Sequence, residues 1–499
     1  MNIFTRRYAL VFALLFAASS AFLACADGDS AEKTALVADE DGDLDDADTP
    51  EDPDDTPEDP DTDAKDPTTP EDGDDMPSND DDPSEPEDPN AEVCPQGYRY
   101  TQWHGPALRQ NHNPATFPLE ACAPDGIITI MPRGTTWNYT VSGLSEGDTV
   151  SMYTAHYFAD ERVQDLRAPQ VYKKVPASGQ VNFNYKGIYG GEQVLIVDTK
   201  DPEKTGEFKV ESECTSGCRN YTTRFPLVFV HGFLGTQNYF GLFEYWNGIL
   251  PPIREAGTEA YDPSSSLVAS SESRANMVLE AIDDAMAETG ARKVNLIGHS
   301  QGGLDSRIIA SPGGLDRGST ISSLTTIATP HRGVPIPLLE FISGAINFVF
   351  EFPDFSKEKA EAFNAQYVDD PAVEYYSWSF KTCAEIDIAC RLDSGARPTV
   401  TAFPPSLGVE GGEVVNELLS IPHGIIAATS FLGGTGADND GLVTVSSANW
   451  GPPENQFGPL YADHVDQIGQ IMRDPNSEVF NHVTFYQDWI KDYLIPDGH

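Results

Sequence analysis

The chain has 499 residues, with 79 Asp and Glu against 31 Lys and Arg, and a formal net charge of −48. At roughly 150 residues per domain this length holds two or three domains. So acidic a balance repels phosphate backbones and argues against a nucleic-acid partner. No stretch beyond residue 30 is long and apolar enough to cross a bilayer, which excludes a multi-span membrane protein.

Residues 1–25 read as an export signal, because Arg6 and Arg7 precede an apolar run from Tyr8 to Ala24. The run closes as Phe22-Leu23-Ala24-Cys25, which resembles the bacterial lipobox, where the Cys receives a lipid and becomes the first mature residue. Phe22 departs from that pattern, and Ala26 stands where an inner-membrane retention signal has Asp. The expectation is an exported protein: an outer-membrane lipoprotein anchored through Cys25 and facing the exterior, or a secreted one. Export places the other cysteines in an oxidising compartment. Six of them, Cys94, Cys122, Cys214, Cys218, Cys383 and Cys390, then read as disulfide partners. Cys383 and Cys390 make a local pair, whereas the first four allow three pairings among which the sequence does not choose.

Residues 26–93 carry about 30 acidic side chains against Lys33 and Lys65, in repeats such as Glu51-Asp52-Pro53-Asp54-Asp55-Thr56-Pro57. Such a segment has too little apolar surface to offset its ordering entropy, and its prolines and like charges extend it. It reads as a disordered acidic linker that lifts a domain off a surface. No Gly-punctuated, Glu-terminated calcium loop of the EF-hand type interrupts it.

Between residues 94 and 222, short β-rich runs alternate with turn signals: Gly126–Ile130, Trp137–Val141, Gln180–Tyr185 and Gln193–Val197. This pattern predicts a small β-sandwich-like domain with no catalytic or metal constellation of its own. Gly143-Leu144-Ser145-Glu146-Gly147-Asp148 reads as a turn.

From residue 223 the pattern changes. Phe225–Val230 is a continuous apolar run, as in a strand buried on both faces of a parallel sheet, and it ends in His231-Gly232-Phe233-Leu234-Gly235. Helical spacing over 272–289 is closed by Gly290. Lys293–Ile297 is then a strand, followed at once by Gly298-His299-Ser300-Gln301-Gly302 and a further helix. Strand, helix, strand, helix predicts an α/β domain over 223–499.

Gly298-x-Ser300-x-Gly302, set between a strand and a helix, is the pattern of a nucleophile elbow, in which a sharp turn presents the Ser hydroxyl at the sheet's edge. An attack by Ser300 on an ester carbonyl creates an oxyanion. The backbone N–H groups of Gln301 and Phe233 are the donors expected to hold it, and His231 is expected to order the Phe233 loop. Chain order in this architecture is nucleophile, acid, base. Asp440, in Asn439-Asp440-Gly441-Leu442-Val443, and His464, in a polar loop about 24 residues later, meet it. His331 and His423 precede the acid, and His482 lies in a helical run, so these read as structural.

Residues 225–494 resemble the bacterial true lipases of the Pseudomonas and Burkholderia type, triacylglycerol lipases with the α/β-hydrolase fold. The resemblance is carried by Val230–Gly235, Val294–Gly303, Ala328–Gly333, Phe363–Tyr367, Tyr375–Ser379, Asn439–Val443 and His464–Gln470. It implies a triad of Ser300, Asp440 and His464 with an oxyanion hole at Phe233 and Gln301, and no cofactor for catalysis. It also implies a structural calcium ion, with Asp466 and the carbonyl of Gln470 as ligands. The expected partner carboxylate is missing from Leu419–His423, and no Cys follows Asp440 where the family has one. The apolar segment of about 333–356 falls at the family's lid position, which would make lipid or ester at an interface the substrate. A folding chaperone remains open as a partner. The expected function is therefore a carboxylic ester hydrolase, a triacylglycerol lipase. A polyester depolymerase and a surface-binding protein with an inert hydrolase domain are the alternatives.

Overall fold

The computed structural model describes residues 94, 101–108, 114–154, 169–233, 235, 238–239, 243–266, 269–334, 355–381, 438–469 and 480–499. The predicted signal with Cys25, the acidic linker, most of the lid segment, Cys383, Cys390, His423 and Gln470 lie outside these residues.

Nine strands build the first domain: β1 (Gln102–Leu108), β2 (Ala115–Leu119), β3 (Asp125–Met131), β4 (Thr136–Ser142), β5 (Thr149–Thr154), β6 (Val171–Lys174), β7 (Gln180–Lys186), β8 (Gly191–Asp198) and β9 (Gly206–Ser216). They form a five-stranded sheet, β1-β3-β8-β5-β6, and a four-stranded sheet, β2-β9-β4-β7. Strict alternation along β4 and β7 sends Trp137, Tyr139, Val141, Val181, Phe183 and Tyr185 inward. There they meet Ile127, Val150, Leu195 and Val197 of the facing sheet in one core, which makes the domain a sandwich. The open pairing of the first four cysteines resolves as Cys94–Cys122 and Cys214–Cys218.

The second domain is organised by a six-stranded sheet whose strands are all parallel, in the order β13-β10-β14-β15-β16-β17. The strands are β10 (Leu227–Val230), β13 (Ala260–Tyr261), β14 (Val294–His299), β15 (Ile321–Ile327), β16 (Glu374–Lys381) and β17 (Gln456–Tyr461), with a short hairpin, β11 (Asn238–Tyr239) and β12 (Phe243–Glu244), after β10. Its helices include α1 (Leu250–Ala256), α2 (Ser271–Thr289), α3 (Gln301–Ala310), α4 (Lys357–Gln366), α5 (Val445–Ala448) and α6 (His482–Trp489). The apolar run of β10 needs both its faces buried. Leu227 and Phe229 pack with Trp246, Ile253, Tyr486 and Trp489 on one side. Val228 and Val230 pack with Ala275, Val278 and Ile282 of α2 and Ile308 and Ile309 of α3 on the other. Helix α2 begins where Ser270 Oγ accepts the Ser273 N–H and ends on Gly290 at φ 68°, as its sequence pattern predicts.

The two domains meet at the N-terminal edge of the parallel sheet. Glu192, on β8 of the sandwich, accepts from the guanidinium groups of both Arg224 and Arg292, which immediately precede β10 and β14. Arg133 reaches Glu288 at 3.2 Å, near the end of α2, and Glu259, just ahead of β13, at 3.9 Å. Functional residues of such sheets gather at the opposite, C-terminal ends of the strands.

Candidate active site

Ser300 stands between β14 and α3 at φ 55°, ψ −125°, a conformation that an L residue adopts only under strain. The strain has a visible cause. Its N–H donates to the Ile327 carbonyl at 2.9 Å, while the chain reverses within one residue to start the helix. Gly302 permits the reversal, since a Cβ there would lie 2.2 Å from the Val230 carbonyl oxygen. From Val294 to Ser311 every residue is buried except Ser300. Ser300 is thus the one half-buried residue in an otherwise closed strand and helix. Gln301 opens α3, so its N–H is among those that the helix itself leaves without a carbonyl.

The loop after β10 comes alongside. A Cβ on Gly232 would sit 2.8 Å from Ser300 Cβ, so only a glycine lets this loop approach the serine so closely. Phe233 follows it directly. His231 is buried and structural, as expected. Its Nδ1–H donates to the Gly232 carbonyl at 3.0 Å, and its Nε2 accepts the Ser265 N–H at 2.9 Å. Burial, and then the neighbouring Arg274 charge, push its pKa down to about 3, which keeps the ring neutral. Arg274 donates to the His231 carbonyl and pairs with Asp305 at 2.7 Å, with both side chains fully buried.

Asp440 and His464 are brought together from opposite sides of β17. The His464 ring donates from Nδ1 to Asp440 Oδ2 at 2.8 Å, and its backbone N–H donates to the Asp440 carbonyl at 2.9 Å. A carboxylate can only accept, so the ring's Nδ1 carries the proton of this bond, and the tautomer so selected has its lone pair on Nε2. Burial alone would push the Asp440 carboxyl up. The His464 charge and hydrogen bond, with the Val443 and Leu442 N–H groups on Oδ1, outweigh that and hold it below the ordinary 3.8. Asp440 therefore stays ionised. His299, the residue before Ser300, lies with its ring centroid 4.7 Å from that of His464, which puts the base beside the elbow.

An elbow serine, a tight loop after the first long strand and a buried His–Asp pair, all at the C-terminal ends of parallel strands, form one recognisable arrangement. Residues 226–404 match the family described as alpha/beta hydrolase fold. The domain has the α/β-hydrolase fold. Among curated relatives, a triacylglycerol lipase of Burkholderia plantarii is 40% identical over 114 residues, which is 22% of this chain and 31% of that protein. A triacylglycerol lipase of Pseudarthrobacter phenanthrenivorans is likewise 40% identical, over 22% of this chain and 34% of its own length. This chain thus spans about a third of those two relatives. A triacylglycerol lipase of Pseudomonas fragi is 26% identical over 312 residues, covering 54% of this chain and 96% of that protein.

Other expectations can be placed on this α/β-hydrolase frame. His331 is buried and structural: its Nε2 lies 3.1 Å from Thr326 Oγ1 and its ring stacks on Trp450 at 5.0 Å. His482 opens α6 rather than sitting within it, and its Nε2–H donates to the Asn247 carbonyl at 3.0 Å. The ends of the lid segment are pinched together, with the Val334 N–H donating to the Phe355 carbonyl at 2.8 Å, while residues 335–354 lie outside the described ones. Of the implied calcium ligands, Asp466 is buried and its Oδ2 accepts the Asp463 N–H at 3.1 Å, whereas Gln470 lies outside the described residues. Among the described residues no group of three or more His, Cys, Asp or Glu could share an ion.

Three side chains of the site carry no assignment in the sequence reading: Tyr245, His299 and Gln467. All are buried, and hydrogen bonds join them between the Gly232 loop and Asp440. His299 and Gln467 lie inside the very stretches that carry the lipase resemblance, which was the available signal. Tyr245 gives none.

Proposed function

We propose that the protein is an exported carboxylic ester hydrolase, a triacylglycerol lipase that works through a Ser300–His464–Asp440 triad. The observation that carries the proposal is the His464–Asp440 bond beside the strained, half-buried Ser300, because it leaves an imidazole lone pair for an alcohol at the elbow. In this reading Ser300 Oγ attacks the ester carbonyl carbon while His464 Nε2 takes its proton. The oxyanion so formed is held by the N–H groups of Phe233 and Gln301. The imidazolium, stabilised by ionised Asp440, returns the proton to the leaving alcohol, and an acyl group remains on Ser300. Water, deprotonated by His464, then releases the fatty acid. The similarity to curated triacylglycerol lipases supports a lipid ester as substrate. Attachment through a lipidated Cys25, with the acidic segment as spacer, would present the enzyme to such substrates at the cell surface.

The test is fatty-acid release from emulsified trioleoylglycerol by the full chain, with a fluorophosphonate probe to label the nucleophile. Labelling of Ser300 and release that Ser300→Ala abolishes are expected. Cleavage of polyester film with no action on the emulsion would replace the lipase reading by a depolymerase. Failure to cleave any ester would overturn the enzyme reading.

A further inference from the structure

Tyr245, on the segment after β12, and Gln467, just beyond His464, come from opposite ends of the hydrolase domain and meet on His299. The hydrogen bonds that join them admit only one sense. Ionised Asp440 cannot donate, so the 3.0 Å contact of its Oδ2 to Gln467 is made by the amide Nε2–H. The Gln467 Oε1 then faces His299, and the 3.1 Å contact between them requires a proton on His299 Nε2. Burial keeps the His299 ring neutral, so its Nδ1 must accept, and the donor is the Tyr245 hydroxyl at 2.7 Å. That hydroxyl oxygen in turn accepts the Gly232 N–H at 2.9 Å. The His299 ring also donates to the His464 carbonyl, and all four side chains of the series are at least nine-tenths buried.

We propose that Gln467 is a positioning residue that ties the Asp440 carboxylate, through His299 and Tyr245, to the Gly232 loop, so that the acid and the oxyanion loop are held as one unit. The proposal rests on the triad reading above. Among the described residues four hydrogen bonds reach the Asp440 carboxylate, of which two come from its own turn and one from the His464 ring. Gln467 supplies the fourth, and it is the one that leads away to the other half of the site. At the far end, Tyr245 is the group that fixes the Gly232 N–H and hence the peptide leading into Phe233. Breaking the series at either end uncouples the carboxylate from the loop. The loss therefore falls on the transition state, where the charge develops, more than on substrate binding.

The experiment is a double-mutant cycle on the full chain with a p-nitrophenyl ester, using Gln467→Met and Tyr245→Phe. Each is expected to lower kcat roughly 10-fold with KM changed less than about 2-fold. The double variant is expected to match the weaker of the two singles, not to show the roughly 100-fold product. Independent structural roles would give that product, and its appearance would overturn the proposal. So would a folded Gln467→Met enzyme with unchanged kcat. Should Gln467→Met fail to fold, Tyr245→Phe, which removes a single hydroxyl from the far end of the series, carries the test: its kcat must fall with KM kept, and an unchanged kcat in the folded variant would overturn the proposal. Ser300→Ala, run alongside, separates the two assignments. If it keeps activity the triad itself is wrong; if it is inert while Gln467→Met is fully active, only the positioning role is lost.

Discussion

The sandwich and the hydrolase domain bury polar groups for different ends. In the sandwich the buried Asp148 and Asp125 tie parts of that domain to one another, while Glu192 reaches out of it. Asp148 accepts the Ser145 and Lys200 N–H groups and pairs with Lys204 at 2.7 Å, and Asp125 accepts the Glu120 N–H and His104. In the hydrolase domain His231, His299, His331, His464, Arg274, Asp305 and Asp440 are buried, and some of the partners come from far along the chain. His299 reaches Gln467 across 168 residues, and His482 reaches Asn247 across 235. Burying such groups is costly unless every partner is in place. The Glu192 junction lies at the far edge of the sheet, where the sandwich braces the hydrolase-fold domain.

Substitutions can break this division of labour, and the largest effect should come from the elbow. Ser300→Ala is expected to lower kcat by at least about 10⁴-fold with the melting temperature unchanged. Asp440→Asn should cost about as much, because the amide no longer holds the His464 tautomer. Steady-state kinetics beside thermal denaturation reads both. The sandwich should answer in the opposite way. Cys94→Ser with Cys122→Ser opens a crosslink spanning 28 residues and should cost about 3 kcal/mol of stability with kcat intact, measured by urea unfolding. Glu192→Gln should cost less, about 1–2 kcal/mol, since both arginines retain some contact with water. A large fall in kcat with Glu192→Gln would show instead that the junction communicates with the site.

The smallest effect concerns pH. The folded state holds the Asp440 pKa below its unfolded value. The unfolded chain therefore binds this proton first as pH falls. The stability that Asp440 contributes is complete above about pH 4 and is lost as the pH drops through the folded value. Unfolding free energies between pH 5 and 3 should decline less steeply in Asp440→Asn than in the wild type. Equal slopes would mean that the carboxylate is not held as described.

Local patterns in the chain determined much of this molecule. The alternation of Trp137, Tyr139 and Val141 specifies a half-buried strand. The unbroken apolar run into Val230 specifies a strand covered on both faces, and the glycines around Ser300 specify a turn that other residues cannot make. Period and steric permission are properties of a few neighbouring residues, so a linear reading captures them. The pairing of Cys94 with Cys122, the seat of the sandwich against Arg224 and Arg292, and the series from Tyr245 to Asp440 depended on tertiary structure. A hydrogen bond between residues more than a hundred positions apart leaves no periodicity behind; it exists only once the sheet has set its loops side by side, and a buried tyrosine or glutamine reads the same along the chain whether it fills space or aligns a carboxylate.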